Sequence, residues 1–424
     1  MSCPKCQGRG HRRWPLMLAI LAAVLLATAV FAAEPTALSL RDAGTLATAR
    51  QPLLEAQAAA IDSLQANAVA AAQWPDPKVR LGLASLPVDS FSFVQEPMTQ
   101  ATIGVSQAIP GGDKARLAGA RGERETEQAR QQFEASRLRI ARDAGLAWLS
   151  AWWPEAAEPL VRQIETEWQR QLEWANVAYQ TDKLAQDEVV AMRAMLEATR
   201  DRLDDLQRQR QRGRSALARW LGEAAARPLA DLEDAGAPGT PAELAARLDA
   251  HPELAVLAGA ASVARAEVDQ AREAYKPDLS LDLGYGLRGG ERPDFISFGI
   301  GLDVPLFPEK RQDRRLAARE ARVTQAMQMM ADRRQALQAE LDENLADWQA
   351  SRARLDRYQQ DILPLTRQRV ASALNAYGSN RAGFARVSEA RRAELEARLN
   401  LLAQRLALAR ARVQIDYLTA EIRP

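Results

Sequence analysis

Four short segments alternate in hydrophobicity with a period of two, and no other feature of the chain constrains its fold as tightly. Residues 279–287 read LSLDLGYGL, with Leu279, Leu281, Leu283, Tyr285 and Leu287 on one side and Ser280, Asp282, Gly284 and Gly286 on the other. Downstream, Ile296, Phe298, Ile300, Leu302 and Val304 alternate with Ser297, Gly299, Gly301 and Asp303. Earlier in the chain, Val79, Leu81 and Leu83 alternate with Arg80, Gly82 and Ala84, and Ile103, Val105 and Ile109 with Thr102, Gly104 and Ser106. The pattern predicts strands at about 78–86, 101–109, 279–287 and 295–306. A half-buried soluble sheet alternates in the same way, its apolar face covered by helices. The length also suits a tilted strand of a membrane barrel, with Arg80, Ser106, Ser280, Asp282 and Asp303 facing the lumen.

Four strands cannot close a barrel, and lipid tolerates no open sheet edge. A membrane reading therefore requires several copies to pool their strands; three copies would supply twelve.

The strands come as two pairs because the chain repeats itself. Arg50-Gln51-Pro52-Leu53-Leu54 resembles Ala250-His251-Pro252-Glu253-Leu254, and Trp74-Pro75-Asp76-Pro77 resembles Tyr275-Lys276-Pro277-Asp278. Gln107-Ala108-Ile109-Pro110 resembles Leu302-Asp303-Val304-Pro305, and Ala178-Tyr179 resembles Ala376-Tyr377. The offsets are 200, 202, 195 and 198, in one order, which indicates an internal duplication rather than a solenoid. The resulting division is 1–32, 33–221, a linker at 222–240, and 241–424. Each half reads helix, two strands, long helix, turn, helix. First helices are predicted at 37–72 and 241–274. The long segments, 113–177 and 309–374, could each reach roughly 100 Å, too long for a globular domain and suited to a coiled-coil tube. Pro154, Pro159 and Pro364 should kink or break them.

At the N-terminus, Arg9, His11, Arg12 and Arg13 precede an apolar run, Leu16 to Val30, that ends in small residues. This is the layout of a secretory signal peptide cleaved after Ala32, with an uncleaved anchor as the alternative. Cys3 and Cys6 lie in this leader, without the second ligand pair a zinc site needs. Beyond Ala32 no apolar run is long enough for a membrane-spanning helix. With 56 Lys+Arg against 55 Asp+Glu, the chain lacks the basic excess that nucleic-acid binding calls for. The basic stretch Arg208 to Arg214 follows acids on the same helix and reads as a solvated face. No phosphate loop, HExxH or nucleophile motif is present, so neither an enzyme nor a bound cofactor is expected. His251, beside Pro252, reads as a helix-start residue rather than a metal ligand.

Over residues 33–424 the chain resembles the TolC-like outer-membrane efflux proteins. The resemblance rests on the duplicated unit, on the strand entry Ala274-Tyr275-Lys276-Pro277-Asp278-Leu279-Ser280-Leu281, on the strand exit Asp303-Val304-Pro305-Leu306-Phe307, and on a turn beginning Ala-Tyr after each long helix. It implies a mostly α fold with a β-barrel part: a homotrimer whose 12-strand barrel sits in outer-membrane lipid and whose helical tunnel crosses the periplasm. It also implies docking to a periplasmic adaptor and an inner-membrane pump of the RND type. The family turn is usually Tyr-x-x-Gly-Lys/Arg; here Asp182 and Asn380 stand at the glycine position. The implied docking residues are Tyr179, Asp182, Lys183, Tyr377, Asn380 and Arg381. The implied entrance gate is Asp187, Glu188 and Glu389, with Arg386 where an acid would be expected. The Gln107–Lys114 junction is most similar to the heavy-metal efflux branch. A periplasmic coiled-coil adaptor is the other reading, although it would carry one helical hairpin with its strands gathered into soluble modules.

Overall fold

The structure is a computed structural model describing residues 37–49, 51–234 and 236–421. The signal-peptide reading, Cys3 and Cys6 included, lies outside them. The first half contains α1 (Leu40–Ala49), α2 (Pro52–Ala71), β1 (Lys78–Ala84), β2 (Gln100–Ile109), α3 (Lys114–Gln180) and α4 (Gln186–Leu221). The second contains α5 (Pro241–Leu248), α6 (Pro252–Glu273), β3 (Asp278–Arg288), β4 (Phe295–Asp303), α7 (Gln312–Arg357), α8 (Leu363–Gly378) and α9 (Phe384–Leu418). Each first helix is thus two helices. Pro52 and Pro252 sit in the opening turn of the second helix, where a missing N–H costs nothing. His251 caps α6: its Nδ1 accepts from the Glu253 N–H at 3.2 Å.

The strands form one antiparallel sheet in the order β1-β2-β3-β4. In register, Val79, Val105, Leu283 and Phe298 make one row across it, and Leu81, Ile103, Tyr285 and Ile296 another. These residues are exposed, Leu81 at 77% and Ile296 at 76%. Among the described residues no helix covers this apolar face, as a half-buried soluble sheet would require. Strand β4 ends two residues before Pro305, which has no N–H for a ladder.

Neither Pro154 nor Pro159 ends α3, which runs unbroken for 67 residues. Tertiary packing overrides the local cost. Trp148, Trp152, Ala157 and Val161 flank the prolines and are buried against α4 and α9 through Leu217, Leu206, Leu399 and Leu406. Pro154 cannot donate to the carbonyl of Ser150. Gly213 of α4 fits against that carbonyl so closely that a Cβ there would lie 2.6 Å from it. In the second half the outcome differs: a π-turn at Tyr358–Ile362 separates α7 from α8, one residue before the pair Leu363-Pro364.

Residues 222–234 and 236–240 pack against the helices rather than hanging free. Leu38 bridges to Leu229, Leu232 is buried in the core, and the Trp148 indole donates to the Leu38 carbonyl at 2.9 Å. Arg214 was expected on a solvated face. Instead its guanidinium grips both oxygens of Glu155, at 2.6 and 2.8 Å, and donates to the carbonyls of Ala225 and Arg227.

Four helices meet at Glu253. It accepts from Tyr417 (α9) at 2.7 Å, Arg333 (α7) at 2.8 Å and Arg139 (α3) at 3.2 Å, while the Arg142 guanidinium lies 4.2 Å from the Tyr417 ring centre. Burial alone would raise the Glu253 carboxyl; the Tyr417 hydroxyl and the two guanidiniums outweigh it and hold it at about 2. A carboxyl depressed in the fold adds stability above its unfolded value near 4.5, and that stability is lost as pH falls towards 2. Glu253→Gln should therefore cost about 2–3 kcal/mol at pH 7. Wild type and variant should converge in thermal unfolding between pH 4.5 and 2; a constant gap across that window would remove the charge from the argument.

Candidate functional site at the hairpin tips and the barrel sheet

The sheet and the tips lie at opposite ends of the long helices. Sixty-seven residues of α3 span about 100 Å. At its far end the chain must reverse into α4, which requires a residue in the left-handed region. Asp182 supplies it with φ 54°, and Asn380 at the second tip with φ 60°. These are the residue types that best replace glycine there.

The two turns are built alike. At the first, Lys183 N–H donates to the Ala178 carbonyl at 2.9 Å and Asp182 N–H to Tyr179 at 3.1 Å. At the second, Arg381 N–H donates to Ala376 at 2.8 Å and Asn380 N–H to Tyr377 at 2.9 Å. This double closure is the Schellman pattern. A further pair of residues was missed in the sequence. The Thr181 hydroxyl donates back to the Val177 and Ala178 carbonyls, and the Ser379 hydroxyl to Asn375 and Ala376. A hydroxyl residue immediately before each left-handed position was the available signal. Tyr179, Lys183, Tyr377 and Arg381 are exposed, and Tyr377 sets its ring edge-on to Phe384 at 6.0 Å.

No ion pair or side-chain hydrogen bond joins the four gate candidates among the described residues. Asp187 and Glu188 are exposed in the first turn of α4, where the helix dipole favours acids. Glu389 pairs with Arg369 of the neighbouring α8 at 2.5 Å, and Arg386 is exposed near the start of α9. Further along, Glu167 of α3 takes Arg170 at 2.9 Å and Arg391 of α9 at 3.4 Å. Arg392 donates to Gln171 and lies 3.4 Å from the Trp168 ring centre. This tie between the two hairpins was not legible in the sequence.

At the other end, the sheet's second face carries the lumen candidates. Lys78, Ser106 and Asp282 form one row with Gly299; Arg80 lies opposite Gly104, and Ser280 opposite Ala108 and Gly301. Asp303 pairs with Asp278. Gln107 interrupts the apolar face at its edge, and its amide donates to the Pro75 carbonyl at 2.9 Å.

The Gln107–Lys114 motif is the joint between sheet and helix. Gly111 N–H donates to Asp278 Oδ1 at 2.7 Å, Lys114 pairs with the same oxygen at 2.6 Å, and Asp113 N–H reaches Glu273 at 3.0 Å. Gly112 holds φ 63°. Among the described residues, no group of three or more His, Cys, Asp or Glu side chains could hold a metal ion, and no helix is long and apolar enough to cross a membrane.

A four-stranded sheet with an exposed apolar face is thus carried at one end of long helical hairpins. Residues 245–421 match the family model described as Outer membrane efflux protein. Over these residues, less than half of the chain, it is similar to that family. Solved structures share the fold along nearly the whole chain. CusC matches at TM-score 0.72 and 15% identity, over 91% of this chain and 92% of that one. The Campylobacter jejuni CmeC outer membrane channel matches at 0.72 and 14%, over 90% and 85%. The open-state Neisseria gonorrhoeae MtrE outer membrane channel matches at 0.71 and 14%, over 90% and 88%. No curated protein sequence gives a significant match.

Proposed function

We propose that this chain is the passive exit duct of a tripartite efflux system. Three copies pool their strands into a 12-strand barrel, and the hairpins form a periplasmic tunnel that docks to an adaptor and an inner-membrane pump of the RND type. The observation that carries this reading is the open sheet with its exposed apolar face at one end and paired, identically built tips about 100 Å away. A ring of three copies presents six such tips around the tunnel mouth. Lys183 and Arg381 lie just past each turn, placed to meet a partner's carboxylates. Asp187, Glu188 and Glu389 add negative charge behind them, which favours cations, and the Gln107–Lys114 resemblance makes heavy-metal cations the favoured cargo.

The test is the pair of charge reversals Lys183→Glu and Arg381→Glu in one chain. Efflux-dependent resistance should fall to the level of a deletion strain while trimer yield and outer-membrane insertion stay as in wild type. Unchanged resistance would remove the tips from docking.

A further inference from the structure

Strands β1 and β4 are the outer strands of the sheet, and each leaves a row of backbone groups unpaired. On the ring reading above, on which this inference rests, each edge meets the opposite edge of a second copy. The structure also contains the information that fixes their register.

The two hairpins are superimposable in pairing. Adding 202 to a β1 residue and 195 to a β2 residue turns every β1–β2 pair within strand bounds into a β3–β4 pair: Lys78↔Ser106 becomes Ser280↔Gly301, and Leu81↔Ile103 becomes Leu283↔Phe298. The β2–β3 contact is the joint between one hairpin and the next inside the chain. In a ring of equivalent hairpins, the β4–β1 contact between copies repeats that joint. The same offsets then convert Val105↔Leu283 into Ile300↔Leu81, Gly104↔Gly284 into Gly299↔Gly82, and Ala108↔Ser280 into Asp303↔Lys78. We propose that β4 of one copy pairs antiparallel with β1 of the next in this register, with Asp303 opposite Lys78 on the polar face and Ile300 opposite Leu81 on the apolar face.

Side-chain chemistry, which did not enter that derivation, agrees with it. Lys78 and Asp303 are both exposed, and neither side chain has a hydrogen bond or ion pair with another described residue. Cross-strand opposite charges stabilise a sheet, and Arg80 becomes the diagonal neighbour of Asp303. Ile300 and Leu81, 63% and 77% exposed in the single chain, join one continuous apolar band. Slipping by one residue would oppose the two faces. Slipping by two in one direction sets Asp303 against Asp76, and in the other brings Pro305, which has no N–H, opposite Lys78.

Within one copy Lys78 and Asp303 lie three strand spacings apart, roughly 14 Å, and four residues out of row along the strands, so a short cross-link between them must join two chains. Residues 37–421 contain no cysteine. The double variant Lys78→Cys with Asp303→Cys, in the full chain in membranes, should cross-link with a short thiol-bridging reagent at least tenfold faster than Arg80→Cys with Asp303→Cys. The products should end at a three-chain species. Lys78→Asp should lower the temperature at which the assembly dissociates in detergent, and adding Asp303→Lys should restore it. Faster bridging at Arg80 in an intact trimer would overturn the register and leave the ring reading standing. Covalent species larger than three chains would overturn the trimer and support the register. Monomers with no bridging at either pair would overturn both.

Discussion

Gly111→Ala should abolish accumulation of the assembled channel. A Cβ at Gly111 would lie 1.9 Å from the Pro277 carbonyl oxygen and 2.8 Å from its carbon, so backbone rather than a flexible side chain would have to move. That displacement breaks the hydrogen bond from Gly111 N–H to Asp278 and shifts Lys114, which shares the same oxygen. Overpacking of this kind costs about 3 kcal/mol or more where the obstacle cannot relax. Here it also misdirects β2 relative to β3, on which closure of the proposed barrel depends. The measurement is heat-modifiable oligomer in the outer-membrane fraction, expected to fall at least tenfold. Gly290→Ala is the control. Unlike Gly111 it has a positive φ, 77°, but a Cβ there meets nothing within 4 Å, so only the backbone strain of roughly 1 kcal/mol applies. Wild-type oligomer in Gly111→Ala would show that the joint tolerates separation.

Arginine on the bare face of the sheet should be nearly as damaging. Phe298→Arg or Ile300→Arg places a guanidinium where lipid is expected, at about 2–4 kcal/mol near the bilayer midplane. Cysteines at Leu281, Leu283, Phe298 and Ile300 should escape a membrane-impermeant thiol reagent, while those at Ser280, Asp282 and Asp303 react. The reverse labelling pattern would exchange lumen and lipid faces.

How far the sequence revealed this protein depended on the range of the interactions. Period-two alternation is local, so the strands were placed to within about three residues, and the turns were readable because a left-handed position selects Asp182 and Asn380 by residue type. Proline was the misleading signal. Pro154 and Pro159 read as helix breakers because their cost is local, whereas the packing that offsets it comes from Leu217 and Leu406, dozens to hundreds of residues away. The Glu253 and Glu167 clusters escaped notice for the same reason. Their cations are contributed by other helices, and a chain rich in Arg–Glu spacings offers no way to tell a surface pair from an interhelical one. The 222–240 segment looked like a linker because its composition is that of a loop; its docking depends on Arg214, Arg405 and Arg412, which donate to its carbonyls from neighbouring helices.

The uninterrupted course of α3 has a mechanical consequence. A helix with no joint over about 100 Å is a lever, and one degree of rotation at the sheet becomes about 2 Å of travel at Asp182. The second hairpin carries a hinge-like defect instead, since the π-turn at Tyr358–Ile362 places a wider, more compliant coil between α7 and the tip at Asn380. On the proposed reading, a push from a docked partner would be transmitted towards the sheet by one arm of each chain and absorbed part-way by the other, so the two arms of one protein would differ in stiffness.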